Sequence, residues 1–437
     1  MSSMLQTSRS GALKARCPRL VLETAIGRSV DAMEAAGSDG LIPVSIRWHE
    51  GLIDAVEPVP DAEGLVLPRL VEPHAHLDKA FSWNDYPNPV GTFEAALAAN
   101  YREHQTRTFQ QVQARGERAL QLAWRHGLRA VRSHIDSLGP GAACSWEALT
   151  ALRQQWRDRL ELQLVALVPV EHWATPEGAQ LAATVASACG ALGGFIQPPC
   201  RGRNERQGLR RLLELANQHG CLVDLHIDEA SSHPAAGMRQ LLRVMERMEV
   251  SVPVTCSHAS SLALLRYGAL RRLADRMARQ NLQVVALPLT NGWLLGRQGD
   301  TTPLRRPLAP IRQLQNAGVR VAVGGDNIQD PWFPGGQLDP LALMAMSLPL
   351  AQLAPWDDHG LQPFCTDAAQ LMGLAWDGVL RNGAPADLIH LPQGGWPELL
   401  AIPRARRVLA GGQWIDNQWI DNQWVEDQSV VDSTDSP

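Results

Sequence analysis

His74-Ala75-His76 puts two imidazoles two residues apart. In an extended segment, residues i and i+2 face the same side, so both rings can reach one ion. With 13 histidines in 437 residues, one such pair is a weak signal by itself. It gains weight from His226 with Glu229 three residues on, from His258, and from Asp326 directly after Gly324-Gly325. Three imidazoles and a carboxylate around one divalent ion leave a position open for water. The ion would draw that water's pKa towards neutrality and make hydroxide at working pH. A carboxylate outside the ligand set could then shuttle protons, and Glu229 is placed for that task.

Each of these residues closes an apolar, β-branched run. The runs are Leu67–His74, Ala130–His134, Leu162–Val168, Gly194–Gln197, Leu222–Ile227, Val252–His258, Gln283–Pro288 and Val319–Gly325. Between them, stretches such as Phe109–His126, Gly208–His219 and Leu262–Gln280 carry apolar residues at helical spacing. Eight such units predict an α/β fold, a (β/α)8 TIM-type barrel with its chemistry at the C-terminal strand ends. An open doubly wound sheet is the architectural alternative, and no GxGxxG fingerprint follows any run to favour it. The chain outside the barrel is β-rich. The expected organisation is residues 1–66 as the N-terminal part of a small β-sandwich, 67–376 as the barrel, 377–424 as the sandwich's C-terminal part, and 425–437 as a disordered tail. Gly411-Gly412 between two apolar runs reads as a hairpin turn. The tail repeats Gln-Trp-Ile-Asp-Asn from Gln413 and Gln418, a tandem duplication too short for a solenoid.

Composition narrows the class. An apolar fraction of 45% with 19% charged residues suits a soluble enzyme with a large core. A net charge of −5 gives no basic footprint for nucleic acid. No apolar leader or 18-residue apolar run argues for secretion or a membrane span. Seven scattered cysteines without a CxxC pair read as idle thiols of a reducing cytoplasm. Whether copies assemble into a homo-oligomer is open at this level.

Several segments together resemble the cytosine deaminase-like branch of the amidohydrolase superfamily. They are Val71-Glu72-Pro73-His74-Ala75-His76-Leu77-Asp78, Arg132-Ser133-His134-Ile135-Asp136, His226-Ile227-Asp228-Glu229, Ser257-His258, and Gly325-Asp326-Asn327 with Asp330-Pro331-Trp332. Gly383-Ala384-Pro385-Ala386-Asp387-Leu388 is similar to the stretch that returns such chains to their small β domain. The resemblance implies one zinc or iron ion on His74, His76, His226 and Asp326. It implies that Glu229 protonates a ring nitrogen and then the leaving amine. It further implies that His258 hydrogen-bonds the water on the ion, and that Asp326 takes a proton from that water. The reaction implied is hydrolytic deamination of an amino-substituted N-heterocycle.

Binuclear members of the superfamily bridge their metals with a carbamylated lysine on the fourth strand. Here the only lysines are Lys14 and Lys79, so that bridge is excluded and a mononuclear site is expected. Lys79, three residues past the HxH pair, is either a surface cation or a substrate contact. Cytosine deaminases also carry a glutamine after the third strand, where this chain has Val170, and a second aspartate where it has Asn327. Loss of a donor–acceptor group alters substrate reading, so the substrate is expected not to be cytosine. Glu171 and His172 are either recognition residues or a solvated loop, and His134 with Asp136 either a supporting pair or packing. Trp332 is expected to wall the pocket. Two competing readings stand beside deamination: cleavage of a substituted amine or cyclic amide, and a catalytically silent barrel kept for binding or assembly.

Overall fold

The computed structural model describes residues 9–200, 202–297, 299, 301–401 and 405–415. They divide into two compact units, one drawn from the chain up to Arg69 and from Leu380 on, the other from Leu70–Val379. The boundaries expected from the sequence lay at 66/67 and 376/377. The stretch 425–437 and all but Gln413–Ile415 of the repeat lie outside the described residues.

The larger unit is a parallel barrel. Its strands, in chain and sheet order, are Leu70–Ala75, Leu128–Asp136, Glu161–Leu167, Ala191–Ile196, Val223–Ile227, Val254–His258, Gln283–Ala286 and Arg320–Val323. Every neighbouring pair is parallel. The eighth strand returns to the first through a parallel bridge of Ala75 with Asp326, where the Asp326 N–H donates to the His74 carbonyl at 2.9 Å. Helices cover the strands, as parallel sheets require. Phe109–His126 shows why such a helix forms: Thr108 and Gln111 build a capping box, and Gly127 ends the helix in a left-handed conformation at φ 93°. Its buried residues Val112, Gly116, Ala119, Leu120 and Ala123 recur every three to four positions and face the core.

The first predicted run spans two elements. Leu65–Pro68 pairs antiparallel with Leu388–Leu391 in the smaller unit, and the barrel strand begins only at Leu70. The switch is at Arg69, whose N–H goes to the Asp387 carbonyl. The fourth strand starts at Ala191 rather than Gly194, and the predicted helix from Leu262 starts at Tyr267, after a separate 3-10 turn over Ser260–Leu264.

The smaller unit holds a seven-stranded mixed sheet in the order Gln413–Trp414, Arg407–Ala410, Leu388–Leu391, Leu65–Pro68, Gly11–Pro18, Leu41–His49, Leu52–Pro58. Gly411 and Gly412 turn the terminal hairpin with φ of 53° and 77°, the pair of positive values that a two-residue hairpin of matched twist needs.

Candidate metal centre and active site

The strand ends bring His74, His76, His226, His258 and Asp326 to one rim of the barrel. His226 Nε2 lies 3.2 Å from Nε2 of His74 and 3.2 Å from Nε2 of His76. Asp326 Oδ1 is 3.6 Å and 3.4 Å from the same atoms of His74 and His76. Ligands at about 2.0–2.1 Å on a tetrahedral zinc ion would stand about 3.3–3.4 Å apart. The His74, His76 and His226 nitrogens therefore have the spacing of a metal's coordination shell. Their chemistry agrees. Burial, reinforced by neighbouring imidazoles, holds His74 and His226 well below the usual histidine range, so both are neutral and able to ligate. Asp326 Oδ2 is buried with no hydrogen-bond partner among the described residues, which would cost about 1–3 kcal/mol without a counter-charge nearby.

The candidate ligands are held from behind. His74 Nδ1 donates to Ser257 Oγ (2.9 Å), which donates to Asp224 Oδ1 (2.8 Å), whose Oδ2 accepts from Arg132 Nη1 (2.9 Å). With its proton on Nδ1, His74 presents the Nε2 lone pair to the site. His134 stacks on His74 with ring centroids 3.9 Å apart and comes within 3.8 Å of Asp224. It makes no pair with Asp136. Glu72 accepts from the backbone N–H of His74 and of Gly325, tying the first strand to the glycine turn before Asp326. Asp228, His258 and Asp326 all have positive φ (58°, 70°, 67°), a left-handed backbone that non-glycine residues rarely adopt. The turns that aim Glu229, His258 and Asp326 are thus held against local preference.

A cavity of about 160 Å³ opens on this cluster. Phe93, Leu97, Leu167, Phe195, Ile196 and Trp332 give it apolar walls. Trp332 is half-buried and packs edge-on against Phe93 at 4.9 Å. Glu229 lines the cavity beside His258, with Oε1 3.6 Å from His258 Nδ1. Burial first, then the charge of Asp326, push the Glu229 carboxyl well above its usual range. Burial likewise brings His258 down to about 4, so its ring is neutral. Asn291 Nδ2 donates to His258 Nδ1 at 3.0 Å, which puts the ring proton on Nε2.

Asn327 also lines the cavity, but its amide is engaged: Nδ2 donates to Asp330 Oδ2 (2.9 Å), and Oδ1 accepts from Thr290 (3.4 Å). Lys79 is buried rather than a surface cation. Its Nζ sits 2.9 Å from both oxygens of Asp136, which also accepts from Asn100 and Arg107.

Val170 requires a correction, because it does not reach the cavity. It is fully buried in a 3-10 turn, Val170–Ala174, that packs under the helix Arg203–His219. A side chain at Gly208 of that helix would run into the Val170 carbonyl at 2.3 Å. Glu171 and His172 share this turn and are absent from the cavity wall. The wall does contain Gln197, directly after the fourth strand. The rule that found His226 and His258, a polar residue closing an apolar run, picks out Gln197 as well.

Residues 92–431 match the model of the amidohydrolase family. The chain belongs to that family. It is a hydrolase acting on carbon–nitrogen bonds, and its similarities fall on the deaminase-like branch. It is 31% identical over 413 residues to a pterin deaminase of Rhizobium rhizogenes (strain K84 / ATCC BAA-868), covering 91% of this chain and 94% of that protein. It is 23% identical over 357 residues to an N-isopropylammelide isopropyl amidohydrolase of Pseudomonas sp. (strain ADP), covering 80% and 85%. Among solved structures, a 5-methylcytosine deaminase from Klebsiella pneumoniae superposes with a TM-score of 0.78 at 22% identity, over 93% of this chain and 97% of that one. The last likeness bears on the fold.

Proposed function

We propose that this protein is a mononuclear metal-dependent deaminase of an amino-substituted N-heterocycle, with a 2-amino-4-oxo ring system of the pterin class as substrate. The observation that carries the reading is the convergence of three imidazole nitrogens and Asp326 beside the buried Glu229 carboxyl, at one end of a cavity with apolar walls. His74, His76, His226 and Asp326 would hold one zinc or iron ion. When bound, that ion supplies the Lewis acidity that makes a water molecule nucleophilic near neutral pH. A single ion fits the lysine inventory, since neither lysine lies on the fourth strand.

The chain's own groups manage protons and position. Apolar walls, with the Trp332 and Phe93 rings inclined at 72° to one another, favour a flat aromatic ring and exclude bulk water. Glu229 enters the reaction as a carboxylic acid and donates to a ring nitrogen, which makes the ring carbon bearing the amino group electrophilic. Its carboxylate then takes a proton from the attacking water, passes it to the departing amine, and regains its own proton from the oxygen as the oxo group forms. His258 stays neutral and offers its Nε2–H to developing negative charge on oxygen. The balance is amino-heterocycle plus water giving oxo-heterocycle plus ammonia.

The test is ammonia release from the metal-loaded enzyme across aminopyrimidines, aminotriazines and pterin. Release from pterin is the expected result. Ring opening without ammonia, or release of an alkylamine alone, would replace deamination with the neighbouring C–N chemistry. Tight binding of partners with no turnover on the whole panel would favour a silent barrel.

A further inference from the structure

The polar groups of the cavity differ in how much hydrogen-bonding capacity they have left. His76, His226 and Asp326 belong to the candidate metal centre, and Glu229 and His258 to proton transfer. Lys79 and Asn100 are bound to Asp136, with Asn100 Oδ1 left without a partner among the described residues. Asn327 is held by Asp330 and Thr290. Gln197 stands apart: it lines the cavity, is exposed, and its carboxamide has no partner among the described residues. Its backbone is nonetheless anchored. Cys200 Sγ donates to the Gln197 carbonyl at 3.0 Å, and Gln240 Nε2 holds the Cys200 carbonyl at 2.7 Å.

Register puts this amide near the chemistry. The fourth and fifth strands pair Phe195 with His226 and Ile196 with Ile227. Gln197 is the next residue on, beside Asp228 and so adjacent to the turn that carries Glu229. Of the lining side chains, Asn100 keeps a free acceptor oxygen, but only Gln197 has its whole carboxamide free, and such a group beside apolar walls fixes ligand orientation. A carboxamide offers one acceptor oxygen and an N–H donor side by side, the complement of a lactam edge with its C=O next to N–H.

We propose that Gln197 is the substrate-reading residue, pairing through its carboxamide with the lactam edge of the heterocycle. The amide missing at Val170 on the third strand is thus supplied from the fourth. The inference rests on the deaminase reading and narrows it to rings carrying an oxo group and N–H beside the amino-bearing carbon. A site that hydrogen-bonds a polar edge penalises ligands lacking it far more than an apolar wall can.

The experiment uses the metal-loaded full chain, wild type and Gln197→Leu, with pterin and 2-aminopteridine, which lacks the oxo group. Because Gln197 is exposed, the variant should fold, and metal content with thermal midpoint checks that. The wild type is expected to favour pterin in kcat/KM by about 10² or more. In Gln197→Leu that preference should fall to within a few-fold of one, the loss lying mainly in KM. Equal losses on both rings, or none on either, would overturn the assignment. Calorimetric binding of the dioxo ring lumazine needs no turnover and separates the two readings. Weaker lumazine binding by the variant, with no ammonia from any substrate, would keep Gln197 as the reader and reject deamination. Ammonia release with identical lumazine affinity in both proteins would keep deamination and reject Gln197. No lumazine binding by the wild type would also reject Gln197.

Discussion

His74 works through both ring nitrogens: Nδ1 is spent on Ser257, and Nε2 is thereby left for a cation. Ser257→Ala removes the acceptor without touching a ligand, so metal affinity should fall by about 10–100-fold, measured by competition with a chelator. His226→Ala should remove the ion outright, visible in elemental analysis. Glu229→Gln divides binding from chemistry. It keeps the shape and polarity of the site while deleting the proton, so metal content should be unchanged and turnover should drop about 10²-fold or more. A variant with wild-type ammonia release would remove Glu229 from proton transfer.

Between elements, the informative assembly is the buried charge cluster behind Lys79. Arg107, just past the helix Phe93–Thr106, binds Asp78 at 2.8 Å, Glu103 at 3.0 Å and Asp136 at 3.2 Å. It thereby fixes the loop after the first strand to the end of the second. Arg107→Met would leave the buried Asp78 carboxylate without its ion-pair partner and Glu103 with Arg115 alone, and should cost about 3–5 kcal/mol, read from urea unfolding. Burial tends to raise the Asp136 carboxyl, but Lys79 and Arg107 outweigh it and hold it far below the usual range. A depressed folded value means that the stabilisation is present above an unfolded pKa of about 3.9 and is lost as pH falls below it. The unfolding midpoint should therefore lose this contribution only in the acid limb below about pH 4, and Asp136→Asn should flatten that limb. This cluster was not legible in the sequence. Glu103 sits on a helix, and Arg107 just past its end, whose role depends on tertiary placement, whereas the strand-end residues His74, His226, His258 and Asp326 were legible because period and run ends locate them. The expectation for Val170 failed for a related reason. Position along the chain identified the residue after the third strand, but the tight 3-10 turn that buries it against Gly208 leaves no periodic trace. Gln197 was within reach of the run-end rule. Asp228, His258 and Asp326 take their left-handed conformation without being glycine, so their residue types do not announce it.

At the scale of the whole molecule, ligand binding and folding are linked. An ion held by the folded barrel and not by the unfolded chain adds about 2.7 kcal/mol when its free concentration is a hundred times its Kd. Chelation should accordingly lower the thermal midpoint, and readdition of zinc or iron should restore it. No helix among the described residues is long and apolar enough to cross a membrane.

The eighth strand reaches the first through the bridge of Ala75 with Asp326, and the two residues nearest that junction, His74 and Asp326, are also the groups that would share the ion. The cation would then act as a clasp on the cylinder's seam as well as a reagent. Stripped of it, the barrel should loosen there first. Amide exchange at Asp326, whose N–H spans the join to the His74 carbonyl, should quicken in apoprotein well before the interior of the second or third strand responds.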